Sequence, residues 1–208
     1  KDDNMEQLAN KGNGNYYYVD TIEEARKVFG EQVSGTLQVI AKDVKIQVEF
    51  APEAVPAYRL IGYENRDIAD RDFRNDAVDA GEIGAGHSVT ALYEVVLNEE
   101  DQTDRLATVR IRHKKPEEST ASEQSFELTR ADLHDQLSQS STSFQFAAAV
   151  TAFAEILRGS PYAEGLSYDL VREVAQAGAG SAEDRKQFLA MLDAASELGR
   201  PSPGGNSK

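Results

Sequence analysis

Val44-Lys45-Ile46-Gln47-Val48-Glu49-Phe50 is the stretch that decides the fold. Apolar and polar residues alternate strictly, and a period of two marks a β-strand with one face toward a core and the other toward water. The pattern assigns Val44, Ile46, Val48 and Phe50 to the dry side and Lys45, Gln47 and Glu49 to the wet side. Pro52 and Pro56 stop the strand, because proline donates no ladder hydrogen bond. Downstream, residues 58–63 read as a second strand. Residues 66–86 read as a long polar loop holding Asp67, Asp70, Asp72, Asp76 and Asp79. Residues 87–97 read as a third strand with Val89, Ala91, Tyr93 and Val95 on one face. Residues 106–112 read as a fourth, and Phe126-Glu127-Leu128 as a short fifth. Several short strands at this spacing predict an antiparallel β-sandwich or curled sheet.

Beyond residue 138 the period becomes helical. Phe146, Val150, Phe153 and Leu157 form one stripe, closed by Gly159 and Pro161. Leu166, Leu170, Val171 and Val174 form a second, closed by Ala177-Gly178-Ala179-Gly180. Ser181-Ala182-Glu183-Asp184 caps a third, carrying Phe188, Leu192, Ala195 and Leu198. Each stripe requires a surface to bury against. On the N-terminal side, residues 4–11 read as a short helix, and Gly12-Asn13-Gly14-Asn15 as a turn. Tyr16-Tyr17-Tyr18-Val19 reads as an aromatic strand, with the middle ring in the core and the outer two half-buried. Thr21-Ile22-Glu23-Glu24 fits a capping box, followed by Ala25, Val28, Phe29, Val33 and Leu37 at helical spacing. The expected architecture is α+β. Residues 1–38 form a helix-strand-helix, residues 39–137 a β-rich domain, residues 138–199 a helical segment packed on it, and residues 200–208 a tail.

The chain has 208 residues, 40% of them hydrophobic, enough to bury a core. It carries 36 acidic against 22 basic residues, a formal net charge of −14 that repels phosphate backbones and argues against nucleic-acid binding. Basic residues gather locally at Arg110, Arg112, His113, Lys114 and Lys115, read as a strand ending in a solvated basic loop. No apolar run approaches the ~20 residues of a membrane helix. With no cysteine there is no disulfide, thiolate metal site or cysteine nucleophile. The opening Lys1-Asp2-Asp3-Asn4 is not a signal peptide and reads as a start inside a longer protein.

The motifs that carry chemistry are missing: no Gly-x-Ser-x-Gly elbow, phosphate-binding loop or His-Glu-x-x-His. His87, His113 and His134 have no ligand-like spacing, and all three read as structural histidines. Asp70, Asp72 and Asp76 approach an Asp-x-Asp calcium pattern. Arg71 and Arg74 interleave, however, and the terminal glutamate is lacking, which favours surface ion pairs. Gly81-Glu82-Ile83-Gly84-Ala85-Gly86 precedes a strand rather than joining strand to helix, so it is no dinucleotide loop but a glycine-eased strand entry. No residue is assigned as catalytic, cofactor-binding or metal-ligating, and no cofactor is expected.

The segment Met5-Glu6-Gln7-Leu8-Ala9 through Gly12-Asn13-Gly14-Asn15-Tyr16-Tyr17-Tyr18-Val19-Asp20 resembles the last helix, strand and helix of a von Willebrand factor type A domain. The remainder of the chain resembles the C-terminal region of unknown function found after that domain in bacterial proteins. The residues that carry the likeness are Ala41 to Phe50, Tyr58 to Arg66, Asp79 to Glu94 and Phe146 to Arg158. The resemblance implies an exported or envelope protein, hence an extracytoplasmic location. The Asp-x-Ser-x-Ser adhesion motif of type A domains does not occur here, so no metal site carries over. The function expected is a non-catalytic interaction module with a protein partner, including its own upstream type A domain. Self-association through the Tyr16 to Val19 strand is a further expectation, because an orphaned edge seeks a partner. Two alternatives stand beside it. One is a ligand- or sugar-binding sandwich using Tyr58, Tyr63 and Tyr93. The other is a carboxylate hydrolase using Asp79 with Glu82 or Glu94.

Overall fold

The computed structural model describes residues 5, 7–9, 16–32, 38–62, 72–78 and 80–199. The chain divides into two compact units, Lys1–Asp132 and Leu133–Lys208. The fold is α+β: a four-stranded antiparallel sheet, a two-stranded antiparallel ribbon and a set of C-terminal helices.

In the first unit, Met5 and residues 7–9 are helical, while residues 11–15, the expected turn, lie outside the described residues. Residues 16–20 have no regular structure, and the sheet order leaves them out, so the aromatic strand expected there and its pairing with the β region are not found. Tyr16 and Tyr17 are half-buried and Tyr18 is exposed, which corrects the expected core position of the middle ring. β-propensity alone does not make a strand without a neighbouring ladder. Helix α1 (Ile22–Arg26) starts as its capping residue predicts, with the Glu24 N–H donating to Thr21 Oγ1 at 3.1 Å. It then widens into a π-helical turn, Lys27–Gln32. The changed period leaves Val28 buried but turns Phe29 to solvent. Val33 and Leu37 lie outside the described residues.

The sheet strands are β1 (Val39–Phe50), β3 (Gly81–Gly84), β5 (Arg105–Lys114) and β6 (Ser122–Thr129), in the order β3-β1-β5-β6. β2 (Ala57–Ile61) and β4 (Leu92–Val96) form the separate ribbon. Two differences from the sequence reading are physical. Gly81-Glu82-Ile83-Gly84 is itself a strand, because it gains ladder partners from β1; its turn comes at Gly86, which has φ 80°. The fifth strand runs the whole of Ser122–Thr129, held by continuous pairing with β5. β1 also contains a bulge. Asp43 takes φ 51°, and register shifts flank it between Ala41 and Val44 and between Lys42 and Lys45. After β1, the chain folds back through Ala51, Ala54 and Val55, which pack with Leu106 in a small core. Arg130 ties down the acidic segment before β5, donating to the carbonyls of Asn98, Asp101 and Thr103 at 2.8–3.0 Å.

The second unit contains α2 (Thr142–Leu157), α3 (Tyr168–Ala179) and α4 (Glu183–Gly199). The Ser/Thr-rich stretch supplies the N-cap of α2, where Ser141 Oγ accepts from the Phe144 N–H; Ser167 does the same for α3. Ala149 and Phe153 of α2, Val171 and Ala175 of α3, and Phe188 and Leu192 of α4 form the core, with Phe146, Phe153 and Phe188 meeting edge to face. Gly178, expected to end the second helix, instead lies inside it at the α2 contact; α3 ends at Gly180, with φ 59°. Arg185 of α4 donates to the Gly178 carbonyl and stacks over the Phe146 ring, 4.8 Å from its centre.

A Cβ added at Gly178 would sit 2.7 Å from the Thr142 carbonyl oxygen and 2.9 Å from the Phe146 nitrogen. At an open helical position Gly→Ala gains up to about 1 kcal/mol, whereas overpacking costs about 1–3 kcal/mol. Gly178→Ala is therefore expected to lower the urea midpoint. A midpoint unchanged or raised would show that α2 and α3 do not approach this closely.

Candidate functional site

The β1–β5–β6 register sorts side chains onto two faces. Ile46, Val48 and Phe50 stand opposite Ile111, Val109 and Ala107, which in turn stand opposite Gln124, Phe126 and Leu128. Directly paired residues point to the same side of a sheet, so these rows form one apolar face. Lys45, Gln47 and Glu49 pair with Arg112, Arg110 and Thr108, and these with Glu123, Ser125 and Glu127, forming a charged face.

The charged face is covered at its Lys45 and Arg112 end, whereas Glu49, Ser125 and Glu127 stay exposed. A turn at residues 72–78 straps the covered end, with Phe73 buried. Lys45 Nζ donates to the Asn75 carbonyl at 2.5 Å and to the Asp72 carbonyl at 3.2 Å. Arg112 binds Asp76 at 2.9 Å, Arg74 grips Glu123 through two hydrogen bonds, and Arg110 pairs with Glu49. At this end the wet and dry assignment made from the alternation is reversed, while further along Glu49 is exposed and Val48 and Phe50 are half-buried, as expected. Lys45, expected in water, is only 4% exposed, while Ile46, expected in the core, is 55% exposed. The parity was legible, but the covering turn comes from a distant, polar part of the chain. The basic cluster is a strand end with Lys115 exposed beyond it, as expected, but its strand part is less solvated than expected. It lies on β5, where Lys114 is buried and donates to Asp43 at 2.8 Å, and Lys115 just beyond the strand reaches outward to Glu118.

The apolar face is open. Phe126 is 53% exposed and Leu128 39%. Its Phe50 end is roofed, where the rings of Tyr58 and Tyr93 from the ribbon pack on Phe50 at centroid distances of 4.5 and 5.5 Å. Among the described residues β6 ends the sheet, and it is exposed along almost its whole length.

The residues singled out for chemistry are not brought together. Glu94 is paired with Arg59 at 2.6 Å on the ribbon, and Glu82 is exposed on β3. Asp79, Tyr63, Asp67, Asp70 and Arg71 lie outside the described residues. Among the described residues no group of three or more His, Asp or Glu side chains is placed to hold a metal ion. His87 is exposed, its backbone N–H closing the turn onto Gly84 O. His113 lies on β5 with Ser122 Oγ 3.5 Å from Nε2. His134 sits between two 3₁₀ turns rather than in a helix. Two shallow clefts occur. One of about 310 Å³ is lined by Lys42, Asp43, Glu82 and Lys114, and one of about 240 Å³ by Tyr168, Arg172 and Asp193; both are walled by ion pairs. No helix among the described residues is long and apolar enough to cross a membrane.

These features define an α+β fold whose first unit holds a sheet with a charged side strapped at one end and an apolar side that exposes Ile46, Phe126 and Leu128. The chain belongs to the family described as "Uncharacterized protein YfbK, C-terminal", whose profile matches residues 35–106 and 98–198. It is 36% identical over 211 residues to "Uncharacterized protein YfbK" of Escherichia coli (strain K12), covering 92% of this chain and 36% of that protein. The chain thus spans about a third of the curated relative it matches. No solved structure matches significantly.

The strap makes a pH prediction. Hydrogen bonds from Arg112 to Asp76 and from Arg74 to Glu123 hold both carboxyls below their ordinary range. A depressed folded pKa stabilises fully above the unfolded value, about 4, and the contribution is lost as pH falls through the folded value. Urea unfolding is expected to become easier on acidification below about pH 4, with a shallower dependence in Glu123→Gln. Identical pH slopes for the two proteins would contradict a role for this pair.

Proposed function

We propose that this chain is a non-catalytic protein-interaction module, accompanying a von Willebrand factor type A domain in an envelope or secreted bacterial protein, and that it docks that domain through the open apolar sheet face. The observation that carries the reading is the contrast between the two faces. Lys45 and Arg112 are held under a dedicated turn, while Ile46, Phe126 and Leu128 stand in solvent beside Val48, Val109 and Ile111. A contiguous apolar patch of this kind marks a binding surface. Most of the curated relative's length lies outside the matched region, which leaves room for such a partner within one polypeptide. The non-catalytic part of the reading is supported by where the carboxylates go. Glu94 is engaged by Arg59, Asp76 by Arg112, and Glu123 by Arg74 and Arg112.

A second reading, a sugar- or small-ligand-binding module, draws on the half-exposed ring of Tyr58. It is weaker because Tyr58, Tyr93 and Phe50 stack on one another instead of flanking a gap.

Titrating the purified upstream region of the native protein into this chain is expected to give saturable binding. Ile46→Asp should weaken it at least tenfold, about 1.4 kcal/mol, while Glu127→Gln on the opposite face leaves it unchanged. No binding, or equal binding by Ile46→Asp, would sink the docking assignment. Fractionation of the tagged native protein into the cytoplasm would sink the envelope assignment separately.

A further inference from the structure

The two edges of the sheet are unequal. β3 is short and runs straight into the Gly86 turn. β6 runs the full Ser122–Thr129 span, contains no proline or lysine, and keeps an unbroken register with β5 from Ala107↔Leu128 to His113↔Ser122. Proteins normally blunt exposed edges with prolines, bulges, short strands or charged side chains, and between Ser122 and Leu128 β6 carries only the charges of Glu123 and Glu127. Its backbone phase is also set. The Arg130 N–H turns inward to the Asp104 carbonyl, while the Thr129 N–H is taken by Asp132 at 2.8 Å. Because these groups alternate along a strand, the backbone groups of Glu123, Ser125 and Glu127 turn away from β5.

We propose that the chain self-associates through β6, two copies pairing antiparallel about a two-fold axis at Phe126, so that their sheets join into one. The register is set by parity and charge. Pairing must place like face on like face for the apolar surfaces to be continuous. With Phe126 opposite itself, Gln124 faces Leu128 of the second copy, Ser125 faces Glu127, and Glu123 faces Thr129, where only the Thr129 carbonyl joins the ladder because its N–H stays with Asp132. A shift of one pair in one direction sets Glu123 against Glu127, and in the other sets Glu127 against Glu127; both oppose carboxylates and are destabilised. The register centred on Phe126 is the longest same-face overlap free of that repulsion. Glu123 is already neutralised by Arg74 and Arg112, which lessens the charge brought to the joint. Self-pairing thus belongs to β6 and not to residues 16–19, which form no strand. The surface is the sheet edge, which shares Phe126 with the face assigned to the type A partner, so the test uses this chain alone.

The chain has no cysteine, so a single one reports position cleanly. Directly opposed residues bring their Cα atoms to about 4.5–5.5 Å, within the roughly 4.4–6.8 Å a disulfide spans. Phe126→Cys is expected to form a covalent dimer on mild oxidation, whereas Gln124→Cys, whose symmetry mate lies far along the strand, is not. In sedimentation at a salt concentration that screens the −14 charge of each copy, the parent chain should be a reversible dimer. Phe126→Lys, with an unchanged circular dichroism spectrum, should be a monomer. A parent chain that is monomeric at every concentration reached, a Phe126→Lys dimer, or equal cross-linking of Gln124→Cys and Phe126→Cys would overturn the proposal.

Discussion

The β1–β5 ladder, running from Lys42↔Lys114 to Phe50↔Ala107, is the constraint on which the rest of the sheet depends. Side chains alternate along both strands, so one register decides at once which residues share a face. This register stacks Ile46, Val48 and Phe50 on Ile111, Val109 and Ala107, and it brings Lys45, Gln47 and Glu49 beside Arg112, Arg110 and Thr108. A slip of one residue would mix the sets and leave lysine and arginine opposite aliphatic side chains. The bulge at Asp43 marks where this clean register ends. Beyond it the strand re-aims, and Lys114 reaches back to the Asp43 carboxylate.

Parity is also what the sequence disclosed most reliably. The alternation from Val44 to Phe50 identified the strand and its two sides correctly, because period is a local property. Which side would be covered was not local. It depended on Arg74, Asn75 and Asp76, in a stretch that read as charged loop, reaching Glu123, Lys45 and Arg112. The Arg112–Glu123 part of that network sits directly across the β5–β6 pair and could have been found by aligning the two strands. The part from the turn could not. The helices show the same division. Their existence and capping serines were legible from spacing, but Gly178 read as a stop signal and is a contact, since only the neighbouring helix reveals why a side chain is excluded there. Phe126 was recognised as strand but not as surface. Exposure of a strand's apolar row depends on what, if anything, lies over it, and no local pattern carries that.

The energetic balance of the two faces gives the open one its meaning. Exposed ion pairs each contribute little, because solvent screens them and ordering long side chains opposes them. The strap therefore stabilises chiefly by enclosing Phe73 and the Lys45 stem, not by summing salt bridges. Among the described residues the buried apolar cluster of this unit is small: Ala51, Ala54, Val55 and Leu106. Against that modest core, the uncovered row from Ile46 to Phe126 is a large reserve of burial, at roughly 25 cal/mol per Å² of apolar surface removed from water. Whatever covers that row binds the folded sheet and not the unfolded chain, so binding and folding stability are linked: occupancy of the face raises stability by mass action. On the proposed reading, the exposed apolar side chains that the alternation marks as core become core only once a partner occupies that surface.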